Sequence, residues 1–269
     1  PSHECRRPVI RTRRTRALVV AAAWWPEGCC VSSYGSLPVS IVGLQGVRLL
    51  AGLPDSVLRE VAERCHFRRY TAGATVVARN DDDHAVYLLI KGRLRVVALS
   101  PTGREVSFRD LGDGECVGEI AAVDGGPRSA TVIALDEEVL ARLAASDFLD
   151  LLRLHWPICE RVLGGLTSTV RQLTDRVYEL STLSVNQRLA SELLRLALAT
   201  DSGATGRVKL TPMPRHAELA ARVGTYREQV TRELAELTRL GIVAKQDDGL
   251  VVEDLERLAG LVSGRRATG

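Results

Sequence analysis

After a long series of short strand-like runs, the hydrophobic pattern of this chain turns helical at Pro157. Before it, short β-type runs at Thr75–Arg79, Ala85–Ile90, Leu94–Ala98, Glu105–Leu111, Ser129–Ala134 and Glu138–Leu143 are cut by turn residues. The breaks are 80–83 (Asn and three Asp), Lys91 with Gly92, 101–103, 112–114 and 124–127. Many short strands with glycine and aspartate turns at regular spacing predict a β-sandwich or jelly-roll barrel. After Pro157, Leu163, Leu166, Val170, Leu173, Val177 and Leu180 recur at alternating spacings of three and four, flanked by Arg171, Asp175, Arg176 and Glu179. That is an a/d seam held for nearly three heptads. A helix lying on its own barrel needs a broader apolar face, so the narrow stripe favours a seam between two copies of the chain.

The remaining segments fit around these two. Pro54, followed by Val57, Leu58, Val61, Ala62 and Cys65, predicts a short amphipathic helix ahead of the first strand. Residues 186–262 read as mostly helical. Near their end, Ile242, Val243 and Ala244, a turn at 246–249, and Leu250, Val251 and Val252 predict a hairpin, and a helix begins at Leu255. Residues 1–42 hold six arginines, an Ala/Val/Trp run ending at Pro26 and a Cys29–Cys30 pair, with no lasting period. They are expected to be a disordered or weakly ordered extension. The expected order is this extension, a barrel domain over 43–157, a dimerisation helix over 158–185, a helical domain over 186–262 and a tail over 263–269. The fold class is α+β.

Composition removes several functions. No run of 18 apolar residues occurs, so a spanning helix and a membrane partner are not expected. Aromatics at 4% leave little for stacking single-stranded bases. The six cysteines form no C-x2-C pair and no zinc-ligand spacing, so no metal is expected; scattered singles suit a reducing cytoplasm. No G-x-S-x-G, Walker loop or metal-ligand cluster points to an enzyme. The net charge of +3 is carried by the arginine-rich start, and the rest of the chain is not globally basic. A local patch exists nonetheless: residues 207–245 hold eight Lys and Arg against four Glu.

Two segments carry chemistry. In the first, Gly118, Glu119, Ile120 and Ala121 are followed by Pro127, Arg128, Ser129, Ala130, Thr131 and Val132. A glycine before a short helix presents backbone N–H groups to an anion, one guanidinium supplies a forked countercharge, and a carboxylate accepts from sugar hydroxyls. By itself an Arg–Glu pair in a barrel is as often structural as functional. In the second, two helical patterns meet at Gly224. On the second of them Val230, Leu234 and Leu237 share one side, while Arg227, Glu228 and Arg232 face the other near the helix start. A plain amphipathic surface helix fits that pattern equally well.

The first segment resembles the phosphate-binding cassette of cyclic-nucleotide-binding domains, G-E-[LI]-A followed by P-R-[ST/A]-A-T-V, without a gap. The runs at 86–92 and 111–115 resemble that family's strand and turn signatures. The resemblance implies that Glu119 holds the ribose 2′-hydroxyl and that Arg128 neutralises the cyclic phosphate. Ser129 and the backbone N–H groups of Gly118 through Ala121, Ile120 included, would complete the cradle. Two departures stand out: Asn80 replaces a glycine in the turn before the third strand, and Val117 replaces an aromatic. Asn80 can also take a left-handed conformation. The second segment resembles the recognition helix of CRP/FNR (catabolite activator protein-like) regulators, R-E-x-V-x-R, here Arg227 to Arg232, with the 246–249 hairpin as the wing. The resemblance implies that Arg227 and Arg232 donate to guanines and Glu228 accepts from a cytosine amino group. Thr225 and Tyr226, just ahead, are further candidates for DNA contact.

Taken together, the resemblance spans about residues 43–262. It implies a β jelly-roll, a long dimerisation helix and a C-terminal winged helix-turn-helix domain. The expected protein is a homodimeric, allosteric transcription regulator binding a pseudo-palindromic double-stranded operator. Its effector would be a cyclic nucleotide, cAMP favoured and cGMP the alternative, and RNA polymerase is a further candidate partner. In relatives, two consecutive hydroxyl residues on the seam helix cap the adenine, one of them from the partner subunit; the matching positions are Leu173 and Thr174, so one hydroxyl is replaced here, and Thr174, flanking the seam, could reach across it. The alternatives are a regulator of this superfamily responding to another signal or to none, and a cyclic-nucleotide module of another protein, which would have no use for Arg227, Glu228 and Arg232 on a winged helix.

Overall fold

The computed structural model describes residues 41–101, 105–201 and 206–263. The expected extension therefore lies outside the described residues up to position 40, and the expected tail from 264 onward. Ile41 and Val42 belong to the first helix, α1 (Ile41–Gln45), which a 3-10 turn at Arg48–Leu50 joins to α2 (Asp55–Arg64).

Eight strands follow: β1 (Cys65–Tyr70), β2 (Thr75–Val77), β3 (Val86–Lys91), β4 (Leu94–Leu99), β5 (Glu105–Leu111), β6 (Cys116–Val117), β7 (Thr131–Ala134) and β8 (Glu138–Leu143). A short helix, α3 (Glu119–Asp124), lies between β6 and β7. Two four-stranded antiparallel sheets result, in the orders β1-β8-β3-β6 and β2-β7-β4-β5. β3 reads as a continuous apolar run because both of its faces are covered. Tyr87 and Leu89 join Val77, Leu94, Val96 and Val132 between the sheets. Val86 and Leu88 turn the other way and pack with Leu58, Val61, Phe148 and Leu151 under the helices.

Besides α1 and the 3-10 turn, three elements of this half were not expected from the sequence. β1 alternates buried and exposed residues, but its first residue, Cys65, reads as the end of the preceding helix and the alternation left after it is short. β6 has two residues. α4 (Ala145–Leu154) was missed because the helical period was expected to begin only after Pro157. The expected strand over 129–134 begins at Thr131, since Arg128 and Ser129 remain in the turn that the site uses.

α5 (Trp156–Thr182), about 40 Å long at 1.5 Å per residue, carries the heptad seam. Ile158 and Val162 near its start are buried on the barrel side, whereas Leu163, Val170, Leu173, Val177 and Leu180 are each at least 44% exposed. Most of the stripe is therefore left uncovered by its own barrel, although Leu166 packs partly against the barrel-side core.

A second compact core follows. α6 (Val185–Thr200) starts with a capping box, in which Ser184 Oγ accepts from the Gln187 backbone and Gln187 Oε1 accepts from the Ser184 backbone. Then come β9 (Val208–Leu210), α7 (His216–Val223), α8 (Arg227–Arg239), β10 (Val243–Gln246), β11 (Gly249–Val252) and α9 (Leu255–Val262). The expected hairpin is present, with Gln246 opposite Gly249 and a two-residue turn at Asp247 and Asp248. β9, too short to read from its pattern, adds a third strand beside β11. Leu193, Leu219, Val230, Leu234, Leu237 and Leu258 meet in one core. Among the described residues no helix is long and apolar enough to cross a membrane.

Candidate functional site

Gly118 ends β6 and opens α3 with φ +96°, a conformation suited to glycine. A Cβ there would stand 2.5 Å from Arg128 Nη1 and 2.6 Å from the Ala85 carbonyl oxygen. The glycine thus lets the guanidinium lie against the backbone. Arg128 is 3% exposed. Its Nη1 donates to the Gly118 carbonyl at 3.2 Å, and its Nη2 donates to the Ala85 carbonyl at 2.6 Å and to Asp83 Oδ2 at 2.9 Å. The Tyr87 ring lies 5.9 Å from the guanidinium carbon. The Arg128 backbone is clamped too: its carbonyl accepts from Asn80 at 2.9 Å, and its N–H donates to the Asp81 carbonyl at 3.0 Å. Asn80 has φ +68°, the left-handed conformation its place in the turn requires.

A guanidinium carries five N–H donors. Three contacts are accounted for, while Nε is buried with no hydrogen-bond partner among the described residues. Asp83 is shared, since Arg142 Nη2 also donates to its Oδ1 at 2.9 Å and Tyr87 Oη donates to Oδ2 at 3.2 Å. Partial burial pushes the Asp83 carboxyl up, but the hydrogen bonds from Arg128, the Ala85 backbone and Arg142 outweigh it and hold the pKa below the usual value. The cluster sets two guanidiniums against one carboxylate and so has one positive charge in surplus. With donors to spare, it suits a singly charged anion such as a cyclic phosphodiester.

Arg128 lines a cavity of about 790 Å³, together with Gly118, Glu119, Ile120, Ala121 and Ser129. Glu119 is 9% exposed, with Arg109 Nη2 at 3.7 Å. The cassette residues singled out in the sequence therefore converge. The seam helix contributes Thr169, Gln172, Leu173 and Arg176, one helical face. Thr174 is not on that face. It lies about 100° further round, is exposed, and donates its hydroxyl to the Val170 carbonyl at 2.9 Å. Within one chain its hydroxyl therefore does not face the cavity, whereas Leu173 does. The last wall comes from the C-terminal core: Glu192, Arg195, Leu196 and Ala199 of α6 and Arg222 of α7. Neither this wall nor Asp83 and Arg142 was singled out in the sequence. The aspartate run reads as a turn, and nothing local marks which of its carboxylates turns inward.

The second candidate surface is α7–turn–α8. Gly224, φ +75°, ends α7, and the Thr225 N–H donates to the Ala220 carbonyl at 3.0 Å. Thr225 is buried, which corrects its expected place at the DNA face: it closes the turn instead. Tyr226, Arg227, Glu228 and Arg232 are exposed on α8 and its cap, while Val230, Leu234 and Leu237 anchor the opposite side. Arg232 donates to Gln229. The exposed side of α8 is thus cationic at its start, with one acceptor, an arrangement that could read base edges.

Comparison with known proteins accounts for both surfaces. Residues 67–155 match the family model of the cyclic nucleotide-binding domain, and residues 187–261 match that of the Crp-like helix-turn-helix domain. A cyclic AMP receptor protein of Thermus thermophilus is 32% identical over 205 residues, covering 74% of this chain and 89% of the relative. A CRP-like cAMP-activated global transcriptional regulator of Mycobacterium tuberculosis is 26% identical over 216 residues, covering 78% and 94%. Among solved structures, a c-di-GMP responsive global regulator of Xanthomonas campestris is similar with a TM-score of 0.63 at 25% identity, covering 74% of this chain and 98% of that one. The fold and the two surfaces define a DNA-binding transcription regulator with a cyclic-nucleotide-binding domain, and not an enzyme. The chain belongs to the CRP/FNR family.

Proposed function

We propose that this regulator binds a cyclic nucleotide in the barrel cavity and that the bound nucleotide changes its affinity for a pseudo-palindromic DNA operator. The observation that carries the reading is Arg128: a buried guanidinium with an unused donor, in a cluster one positive charge in surplus, facing a cavity that also holds Glu119. In this reading Arg128 and Ser129 take the cyclic phosphate with the backbone N–H groups of Gly118, Ile120 and Ala121, and Glu119 takes the ribose hydroxyl. cAMP is favoured because the relatives from Thermus thermophilus and Mycobacterium tuberculosis are named for it. cGMP is the comparison ligand. Thr174 caps a base only if it reaches the site of a second copy.

The sensing unit is residues 43–157, the dimerisation helix 158–185 and the DNA-binding unit 186–262. Two copies joined along Leu163, Leu166, Val170, Leu173, Val177 and Leu180 would set two α8 helices one DNA turn apart. Arg227 and Arg232 would donate to guanines, Glu228 would accept from a cytosine, and Tyr226 would flank them. The protein would act in the cytoplasm, with RNA polymerase as a further partner. Titration calorimetry with cAMP and cGMP to millimolar concentration tests the first half; no heat with either would remove it. A gel shift on duplexes selected from random sequence, with and without each nucleotide, tests the second. Equal retardation in every lane would remove the allosteric coupling.

A further inference from the structure

One wall of the nucleotide cavity belongs to the DNA-binding unit, and a compact set of ion pairs ties that wall to the barrel. Arg95 of β4 grips Asp110 of β5 with both ends of its fork, Nε to Oδ1 at 2.7 Å and Nη2 to Oδ2 at 2.8 Å. Arg95 also pairs with Glu218 of α7. Arg222 of α7 returns the link, with Nη2 at 2.5 Å from Asp110 Oδ2 and at 3.2 Å from Glu218 Oε1. Its Nη1 stands 3.0 Å from Glu192 of α6, so the clasp continues into the cavity wall. The side chains are shielded: Arg95 is 13% exposed and Arg222 19%.

Such pairs differ from ordinary surface bridges. Bidentate geometry and partial burial protect them from screening, and each charge has more than one partner. The Arg95 pKa is held above its usual value by its hydrogen bond to Asp110. Burial pushes Asp110 up, but the Arg95 hydrogen bond and the Arg222 charge outweigh it and hold it down. Asp110 and Arg222 line the cavity itself. Arg95 and Glu218 stand behind the wall rather than in it, and so can be altered without touching a ligand.

We propose that Arg95, Asp110, Glu218 and Arg222 form a clasp that holds the DNA-binding unit against the barrel as a wall of the nucleotide site, which makes Arg95 and Glu218 positioning residues for the effector. The proposal rests on the reading of the cavity as a nucleotide site. A ligand enclosed by the docked wall makes contacts that an undocked unit withdraws, so it binds the docked state better. If the docked fraction falls, apparent affinity falls in proportion, and a reduction to about one tenth weakens binding about tenfold.

The test uses Arg95→Met and Glu218→Gln in the full chain, with Arg153→Met, which removes an exposed pair with Asp150, as control. Two quantities are measured on each: hydrogen exchange of the α7 and β5 amides, and cAMP and cGMP affinity by calorimetry. The expected result is faster exchange in α7 and roughly tenfold weaker nucleotide binding in both clasp variants, with an unchanged melting curve for the barrel and no change in the control. Arg95→Lys, which keeps the charge, should recover part of the affinity. Faster exchange with unchanged affinity would show that the wall does not serve the ligand and would overturn the proposal. Unchanged α7 exchange would show that there is no clasp. If the unsubstituted protein binds neither nucleotide, the site reading fails and takes the effector role with it, while the exchange data still decide whether these residues hold the unit in place.

Discussion

Glu138 provides the sharpest test of the barrel's electrostatics. It opens β8 opposite Tyr70, is 1% exposed, and neither carboxylate oxygen has a hydrogen-bond partner among the described residues. Burial, with a further push from the Asp136 charge, raises its pKa from 4.5 to about 8. The folded state therefore keeps a proton that the unfolded chain releases above pH 4.5 or so. Stability is full below that value, falls as pH rises through the window, and levels off above about 8. At about 1.4 kcal/mol per pKa unit the loss is bounded near 5 kcal/mol. Relaxation and water entry on ionisation bring the figure to test to roughly 2–4 kcal/mol. Glu138→Gln keeps the shape and cannot ionise. We predict that urea unfolding, followed by far-UV circular dichroism at pH 5, 6.5 and 8, shows the two proteins within about 1 kcal/mol of each other at pH 5. The variant should be the more stable by roughly 2–4 kcal/mol at pH 8. Parallel pH profiles for the two proteins would refute the reasoning, because the slope would then belong to another group.

Three further outcomes are expected. Gly118→Ala forces a Cβ against Arg128 and the Ala85 carbonyl at positive φ, so it should cost roughly 2–4 kcal/mol in unfolding experiments and abolish nucleotide heat; binding at wild-type strength would show that the cradle lies elsewhere. Arg128→Leu should remove the nucleotide response while the chain stays folded, since Asp83 keeps Arg142; the stranded Ala85 and Gly118 carbonyls cost about 1–3 kcal/mol, and undiminished affinity by calorimetry contradicts the assignment. Arg227→Ala should lose about 1–3 kcal/mol on a cognate operator and much less on random duplex in fluorescence anisotropy, whereas equal losses would reduce it to a phosphate contact.

How much of this was legible beforehand follows from how local each signal is. Turn residues and a two-residue period are properties of a few neighbouring positions, and they marked six of the eight barrel strands. β1 was lost because Cys65 continues the apolar face of the preceding helix, which leaves too short an alternation behind it, and β6 because two residues carry no period. The cassette was visible as a contiguous string, and the exposed Arg227, Glu228 and Arg232 follow from the wheel of one helix.

What the sequence alone determined is most of the longer elements, the heptad stripe and the cassette that holds Arg128, each written within a single stretch of chain. The tertiary structure decided which groups surround that arginine and what closes the cavity. Asp83 reaches Arg128 from 45 positions away, and Arg222 reaches Asp110 across 112. It also turned Thr225 inward and Thr174 out of the cavity, because the rotation of a helix or turn is fixed by what it packs against. Contacts between remote segments depend on how sheets and helices stack, and no local period encodes that.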